Sequence, residues 1–203
     1  MANIFDLSDP KIIIPEPSEP SKMPALEACT NCEQNKDIPI IIMINSNGIT
    51  HAGLMINEGK NAILYDPGGH YSGCYKREVC KDDDGGPIER GTGDAFYGID
   101  GSVDWGDYIA YQLDDGPDVT GYKFNIPRSH GEKIINLIDE IGGQSPLLCA
   151  ITISNILMNS GGIFENITEC VFPSTLGDEL YRIPNVEIIK YRAKIIGNGS
   201  GST

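Results

Sequence analysis

The stretch Gly142-Gly143-Gln144-Ser145-Pro146-Leu147-Leu148-Cys149 and the run that follows it constrain this chain more than any other feature. Ala150-Ile151-Thr152-Ile153-Ser154-Asn155-Ile156-Leu157-Met158 is apolar on nearly every side, and Asn159-Ser160-Gly161-Gly162 closes it with a glycine suited to the left-handed position after a helix. A helix apolar all round is a buried one, so the rest of the chain has to wrap it. Ser145 reads as its N-cap and Pro146 as its first residue, where the missing N–H costs nothing. Cys149 then falls in the first turn, where unpaired backbone N–H groups and the positive end of the helix dipole favour a thiolate. Free cysteine is also among the most buried residue types, so taken alone Cys149 reads first as a small core residue.

The wrapping elements are legible in order. Residues 1–37 carry Pro15, Pro17, Pro20 and Pro24 among Glu and Ser, and read as an extended lead-in. Ile38-Pro39-Ile40-Ile41-Ile42-Met43-Ile44 is a β-branched run bounded by turn residues, a buried strand. Residues 49–56 and 61–66 form a hairpin pattern around Asn57-Glu58-Gly59-Lys60. Strand patterns return at 108–113 and 119–126. Ser129-His130-Gly131-Glu132 reads as a capping box for a helix with Ile134, Ile135, Leu137, Ile138 and Ile141 on its apolar face, and with His130 exposed at its first turn. A short helix from Phe172 to Tyr181 and a strand from Val186 to Ile196 follow, and residues 197–203 form a Gly/Ser-rich flexible tail. One domain over 38–196 results, with a Gly- and Asp-rich insertion at 67–106, long enough to be a binding loop or lid.

The hairpin register carries the chemistry. A turn centred between Glu58 and Gly59 sets Ile56 opposite Asn61, Gly53 opposite Leu64 and His51 opposite Asp66. Opposed residues share a sheet face with Cβ atoms about 4.5–5.5 Å apart, so a symmetric loop sets an imidazole beside a carboxylate. Asp66 then has two readings: an orienting partner for His51, or a turn residue at Asp66-Pro67-Gly68-Gly69 making local hydrogen bonds.

With 29 acidic against 15 basic residues the net charge is −14, which argues against nucleic acid or an anionic membrane as partner. No stretch approaches the roughly 20 apolar residues of a membrane span, and the acidic N-terminus lacks the regions of a signal peptide. Cys29-Thr30-Asn31-Cys32 has zinc-knuckle spacing, but Cys74 and Cys80 lack the spacing of a second knuckle, so a disulfide or plain thiols are expected there. The carboxylates of 100–107 do not fall at calcium-loop positions. No phosphate-binding loop is present, and no cofactor is expected.

A His-bearing strand, a carboxylate in the next strand, a helix, and then a cysteine at a helix start form an order that resembles the circularly permuted papain-fold hydrolases of the NlpC-like superfamily. The resemblance rests on Thr50-His51-Ala52-Gly53-Leu54-Met55-Ile56, Leu64-Tyr65-Asp66, Tyr122-Lys123-Phe124-Asn125-Ile126, Leu148-Cys149 with Ser154 and Leu157, Gly161-Gly162, and Phe172-Pro173-Ser174-Thr175-Leu176. It spans roughly residues 38–181, and departs from the family in Leu148, where many relatives have Asn, and in the long insertion. It implies an α+β fold in which an antiparallel sheet packs on a central Cys-bearing helix. It further implies a cysteine peptidase or amidase with Cys149 as nucleophile, His51 as base and Asp66 as orienting residue. Small members of this kind resemble type VI secretion effectors that cut peptidoglycan peptides. That implies a protein made in the cytoplasm and acting in a target bacterium's periplasm, with a secretion carrier and an immunity protein as partners. The rival expectations are a lipid acyltransferase or phospholipase on the same fold, and a non-catalytic binding protein on a decayed scaffold.

Overall fold

The strand β1 (Ile38–Asn45) sits at the centre of the sheet and is buried on both faces, which is why its sequence is continuously apolar instead of alternating. Ile40, Ile42 and Ile44 turn to one side, and Ile41 and Met43 to the other. The computed structural model describes residues 36–48, 50–57, 62–71, 73, 95–97, 104–145 and 147–192. The lead-in up to residue 35, the hairpin turn at 58–61, Cys29, Cys32, Cys74, Cys80, most of the insertion, Pro146 and the chain after residue 192 lie outside these, with the expectations attached to them.

β1 pairs antiparallel with β2 (His51–Ile56) on one side. Beyond β2 come β3 (Ile63–Tyr65) and β4 (Ala95–Tyr97). On its other side β1 pairs with β5 (Val119–Ile126), and β5 with β6 (Glu187–Tyr191). The described sheet thus has six strands in the order β4-β3-β2-β1-β5-β6, every neighbouring pair antiparallel. Three helices, α2 (Arg128–Ile141), α3 (Cys149–Ser160) and α4 (Pro173–Tyr181), cover one face through Ile134, Ile138, Ile153, Ile156, Leu157, Leu176 and Leu180. Among the described residues a single helix, α1 (Trp105–Gln112), covers the other through Tyr108 and Ile109. The class is α+β, with the sheet between helical layers. The apolar helix α3 is buried as its composition requires, with Ala150, Ile153, Ile156 and Leu157 wholly enclosed, and it stops at Gly161 with φ 75°.

Several expectations need correction. Residues 108–113 do not form a strand. Tyr108 and Ile109 belong to α1, whose N-cap Asp104 accepts from the Asp107 N–H at 3.0 Å. Tyr and Ile are strand formers by propensity, but the cap and the burial of Tyr108, Ile109 and Gln112 along one stripe decide for helix. The capping box at Ser129 is not used: α2 begins two residues earlier, at Arg128, with the Pro127 carbonyl accepting from the N–H groups of His130 and Gly131. Ser145 does not cap α3. Its carbonyl closes a separate turn by accepting the Leu148 N–H at 3.3 Å, and Leu147, inside that turn, has φ 75°, so the helix starts only after Leu148. β4, inside the insertion, was not expected at all.

A buried amide network ties α1 to the end of β1. Asn45 donates to the Gln112 carbonyl (3.1 Å) and to its side-chain oxygen (3.0 Å), and accepts from the Asn47 backbone and side chain (both 2.9 Å). Asn47 in turn accepts from the Asp118 N–H at 3.0 Å. Because Asn45 is fully enclosed, Asn45→Ala strands several polar groups without partners. We expect a loss of about 3 kcal/mol, read as a lower urea midpoint with an unchanged slope.

Candidate active site

The site lies at the end of the sheet where β2 begins. His51 is the first residue of β2, and by strand alternation it shares the α1 side of the sheet with Gly53, while Ala52 and Leu54 face the α3 layer. Cys149 is the first residue of α3 and arrives from the opposite layer. The two meet because His51 stands at the strand's open end, where the sheet no longer separates the layers.

The hairpin register differs from the symmetric one by two residues. β2 and β3 pair Leu54 with Tyr65, Met55 with Leu64 and Ile56 with Ile63, so Asp66 falls beside Gly53, and His51 is its diagonal neighbour. A shift of two preserves the face, and a diagonal contact stays within reach of a long side chain. His51 Nε2 lies 2.6 Å from Asp66 Oδ1, and this carboxylate is buried. Gly53 makes the arrangement possible: a Cβ there would collide with the Tyr108 hydroxyl. Without it, Tyr108 reaches over the strand and donates to the same Asp66 Oδ1 at 2.7 Å. The Tyr71 N–H donates to Asp66 Oδ2 at 3.2 Å, and the Asp66 carbonyl accepts from Gly69 N–H at 3.0 Å. Both readings of Asp66 therefore describe it: partner of His51 and anchor of its own turn.

With Nε2 committed to Asp66, Nδ1 is left for the hydrogen bond to Cys149. Burial pulls the His51 imidazolium down, but the charge and hydrogen bond of Asp66, with a smaller contribution from Cys149, outweigh it and raise His51 from 6.5 to about 10. Burial likewise pushes the Cys149 thiol up. The His51 hydrogen bond and charge, together with backbone bonds from Ala52 and Ala150, bring it below its ordinary value of 9.0. The direction for the pair is a thiolate beside an imidazolium. Tyr108 is pushed well above 10 by burial and by the Asp66 charge, so it remains a proton donor.

The loop entering α3 is anchored to β3 and carries one strained residue. Tyr65 donates to the Gly142 carbonyl at 2.7 Å, and Leu147 takes a left-handed conformation that ordinarily costs about 1–2 kcal/mol in a non-glycine residue. As the first residue of α3, Cys149 has an N–H without an intrahelical acceptor, suited to stabilising an oxyanion. Thiol and imidazole open on a cavity of about 220 Å³ whose walls include Thr50, Gly69, His70, Tyr111, Gln112, Asp115 and Leu147. Within it Cys149 is only 4% exposed.

The structure therefore brings together all three residues singled out from the sequence. His130 is half-buried, not exposed: it bonds Ser160 Oγ at 2.9 Å and packs on Phe164, away from this cavity. Sequence reasoning missed Tyr108, Tyr65 and the walls Tyr111, Gln112 and Asp115. The signal available for Tyr108 was Gly53 itself, since an isolated glycine within a strand marks a close approach. Among the described residues no cluster of His, Cys, Asp or Glu is arranged to hold a metal ion, and no helix is long and apolar enough to cross a membrane.

Two pH dependences follow. Asp66→Asn removes the charge that raises His51, so the imidazole deprotonates and Cys149 loses its cation. The midpoint for alkylation of Cys149 by iodoacetamide, below 9 in the native protein, then moves upward. For the fold itself, His51 is held above its unfolded value of 6.5, so its stabilising contribution is complete below that pH and fades as the pH climbs through about 10. Urea unfolding across this range should show the fade in the native protein and much less of it in His51→Gln.

Comparison of the chain with protein-family models, with curated proteins and with solved structures gave no match.

Proposed function

We propose that this chain is a cysteine amidase or endopeptidase on a papain-like, permuted NlpC-type scaffold, and that it cleaves amide bonds in peptidoglycan peptides. The observation that carries the chemistry is the connected series of Cys149, His51 and Asp66 at the mouth of a cavity. The choice of substrate rests on the resemblance of the sequence motifs to that superfamily.

In the proposed reaction the Cys149 thiolate attacks the amide carbonyl carbon and the carbonyl electrons move to oxygen, which the Cys149 N–H stabilises. His51 passes its proton to the amide nitrogen as the C–N bond breaks, and the amine leaves. A water molecule then attacks the thioester while His51 takes its proton, and the thiolate departs. The balance is one amide and one water consumed, one acid and one amine formed. Asp66 holds the ring so that Nδ1 faces the sulfur, and Tyr108 holds Asp66.

One observation favours a second reading, the acyltransferase or phospholipase: Leu147, on the cavity wall, is 74% exposed and Leu148 beside it 37%. The decayed-scaffold reading predicts separated side chains or a filled cavity, and the contacts above weigh against it. As an effector, the protein would be produced in the cytoplasm and act in a target's periplasm, accompanied by an immunity protein and a secretion carrier.

Mass analysis of purified peptidoglycan after digestion decides among these. We expect new fragments whose summed mass exceeds that of the parent by one water per cut, with Cys149→Ala yielding none at unchanged thermal stability, and Asp66→Asn slower by about 10²–10⁴. Intact peptidoglycan together with released fatty acid from added phospholipid would transfer the chemistry to the lipid reading. Expression with an export signal should be lytic and expression without one harmless. Equal toxicity in both compartments would remove peptidoglycan as the target.

A further inference from the structure

We infer that Asp115 and Tyr111 form a subsite for a primary ammonium group, so that the preferred substrate is an amide carrying a positive charge near the scissile bond. This inference rests on the cysteine amidase reading and specifies its substrate class.

Among the described residues, the walls of the Cys149 cavity contain one carboxylate, Asp115, and no lysine or arginine. Among the described residues Asp115 has no ion-pair partner. The other titratable side chains lining the cavity are His51 and Cys149, engaged with each other and with Asp66, together with Tyr111 and His70. With the His51 cation balanced by Asp66 and the Cys149 thiolate, Asp115 is the uncompensated charge of this wall, and it disfavours an anionic group beside it. An ammonium group gains a charge-assisted hydrogen bond to Asp115 and a contact with the ring of Tyr111, which lines the same wall.

The position of the carboxylate is built, not incidental to a loose loop. Asp115 ends a 3₁₀ turn, Leu113–Asp115, that continues directly from α1 and closes with Gly116 N–H donating to the Leu113 carbonyl at 3.3 Å. On one side of it the buried Asn45 grips Gln112, and on the other Asn47 accepts from Asp118 N–H. The buried amides thus fix both flanks of an exposed charge. Fixing it lowers the entropy lost when a cation docks.

Alkylation of Cys149 in the intact protein tests this without a known substrate. The probes are iodoacetamides whose amide nitrogen bears an aminoalkyl chain, short or long, each matched with a hydroxyl counterpart of the same length. In every case the thiolate displaces iodide and a thioether forms. Short chains imitate a free N-terminal amine, and long ones the side-chain amine of a diamino acid. We expect one chain length to react about tenfold faster than its hydroxyl match, equivalent to ~1.4 kcal/mol. That ratio should fall to near unity in Asp115→Asn and return in Asp115→Glu. Glu140→Gln, the same charge change on the exposed end of α2, should keep it. A ratio near unity at every chain length in the native protein, or one that Asp115→Asn leaves intact, overturns the subsite while the cysteine chemistry stands. If no probe alkylates Cys149 faster than it alkylates the thiols of the unfolded chain, the amidase reading falls, and the subsite with it.

Discussion

The contact on which the rest of the site depends is the one between His51 Nε2 and Asp66 Oδ1, at 2.6 Å. A histidine largely removed from water should be neutral, because burial penalises its charged form. Here a buried carboxylate reverses that preference, and the resulting cation draws the proton from Cys149. Asp66 itself tolerates burial because three donors converge on its side chain: the His51 ring, the Tyr108 hydroxyl and the Tyr71 N–H. An unpartnered carboxylate in that position would cost several kcal/mol.

The scaffold around this contact divides the work by layer. α1, on one face of the sheet, supplies Tyr108 to Asp66 and Tyr111 and Gln112 to the cavity wall. α3, on the other face, supplies the cysteine, the positive end of a helix and the Ala150 N–H. β2 supplies the residue between them, and Gly53 two positions on leaves the space through which Tyr108 crosses to Asp66. The amides of Asn45, Asn47 and Gln112 lock the α1 layer to the end of β1 beside this point. Each layer thus contributes one component, and the geometry holds only while both layers stay docked on the sheet.

Much of this was legible in the sequence because it is local. The apolar run 150–158 with its terminal glycines fixes a buried helix, and the β-branched run 38–44 fixes a strand covered on both sides. The face shared by His51 and Asp66 was also legible, since strand parity survives a register shift of two even though the assumed turn was wrong. What was not legible depends on tertiary contact. Residues 108–113 have the composition of a strand, and only the Asp104 cap and the docking of Tyr108 beneath the sheet make them helical. The start of α3 was misplaced because Leu147 adopts a backbone conformation that no local rule assigns to leucine. Tyr111 and Asp115 reach the cavity only because that helix and its following turn lie where they do.

The central claim is that His51 is a cation at neutral pH, held by Asp66 and paired with a thiolate. Nitrogen-15 resonances of the His51 ring, assigned by comparison with His51→Gln, report this directly, because protonated and bare ring nitrogens resonate far apart. The account predicts two protonated ring nitrogens at neutral pH, with one proton lost only as the pH approaches about 10. A ring with one bare nitrogen at neutral pH, titrating near the ordinary histidine value of 6.5, would contradict it.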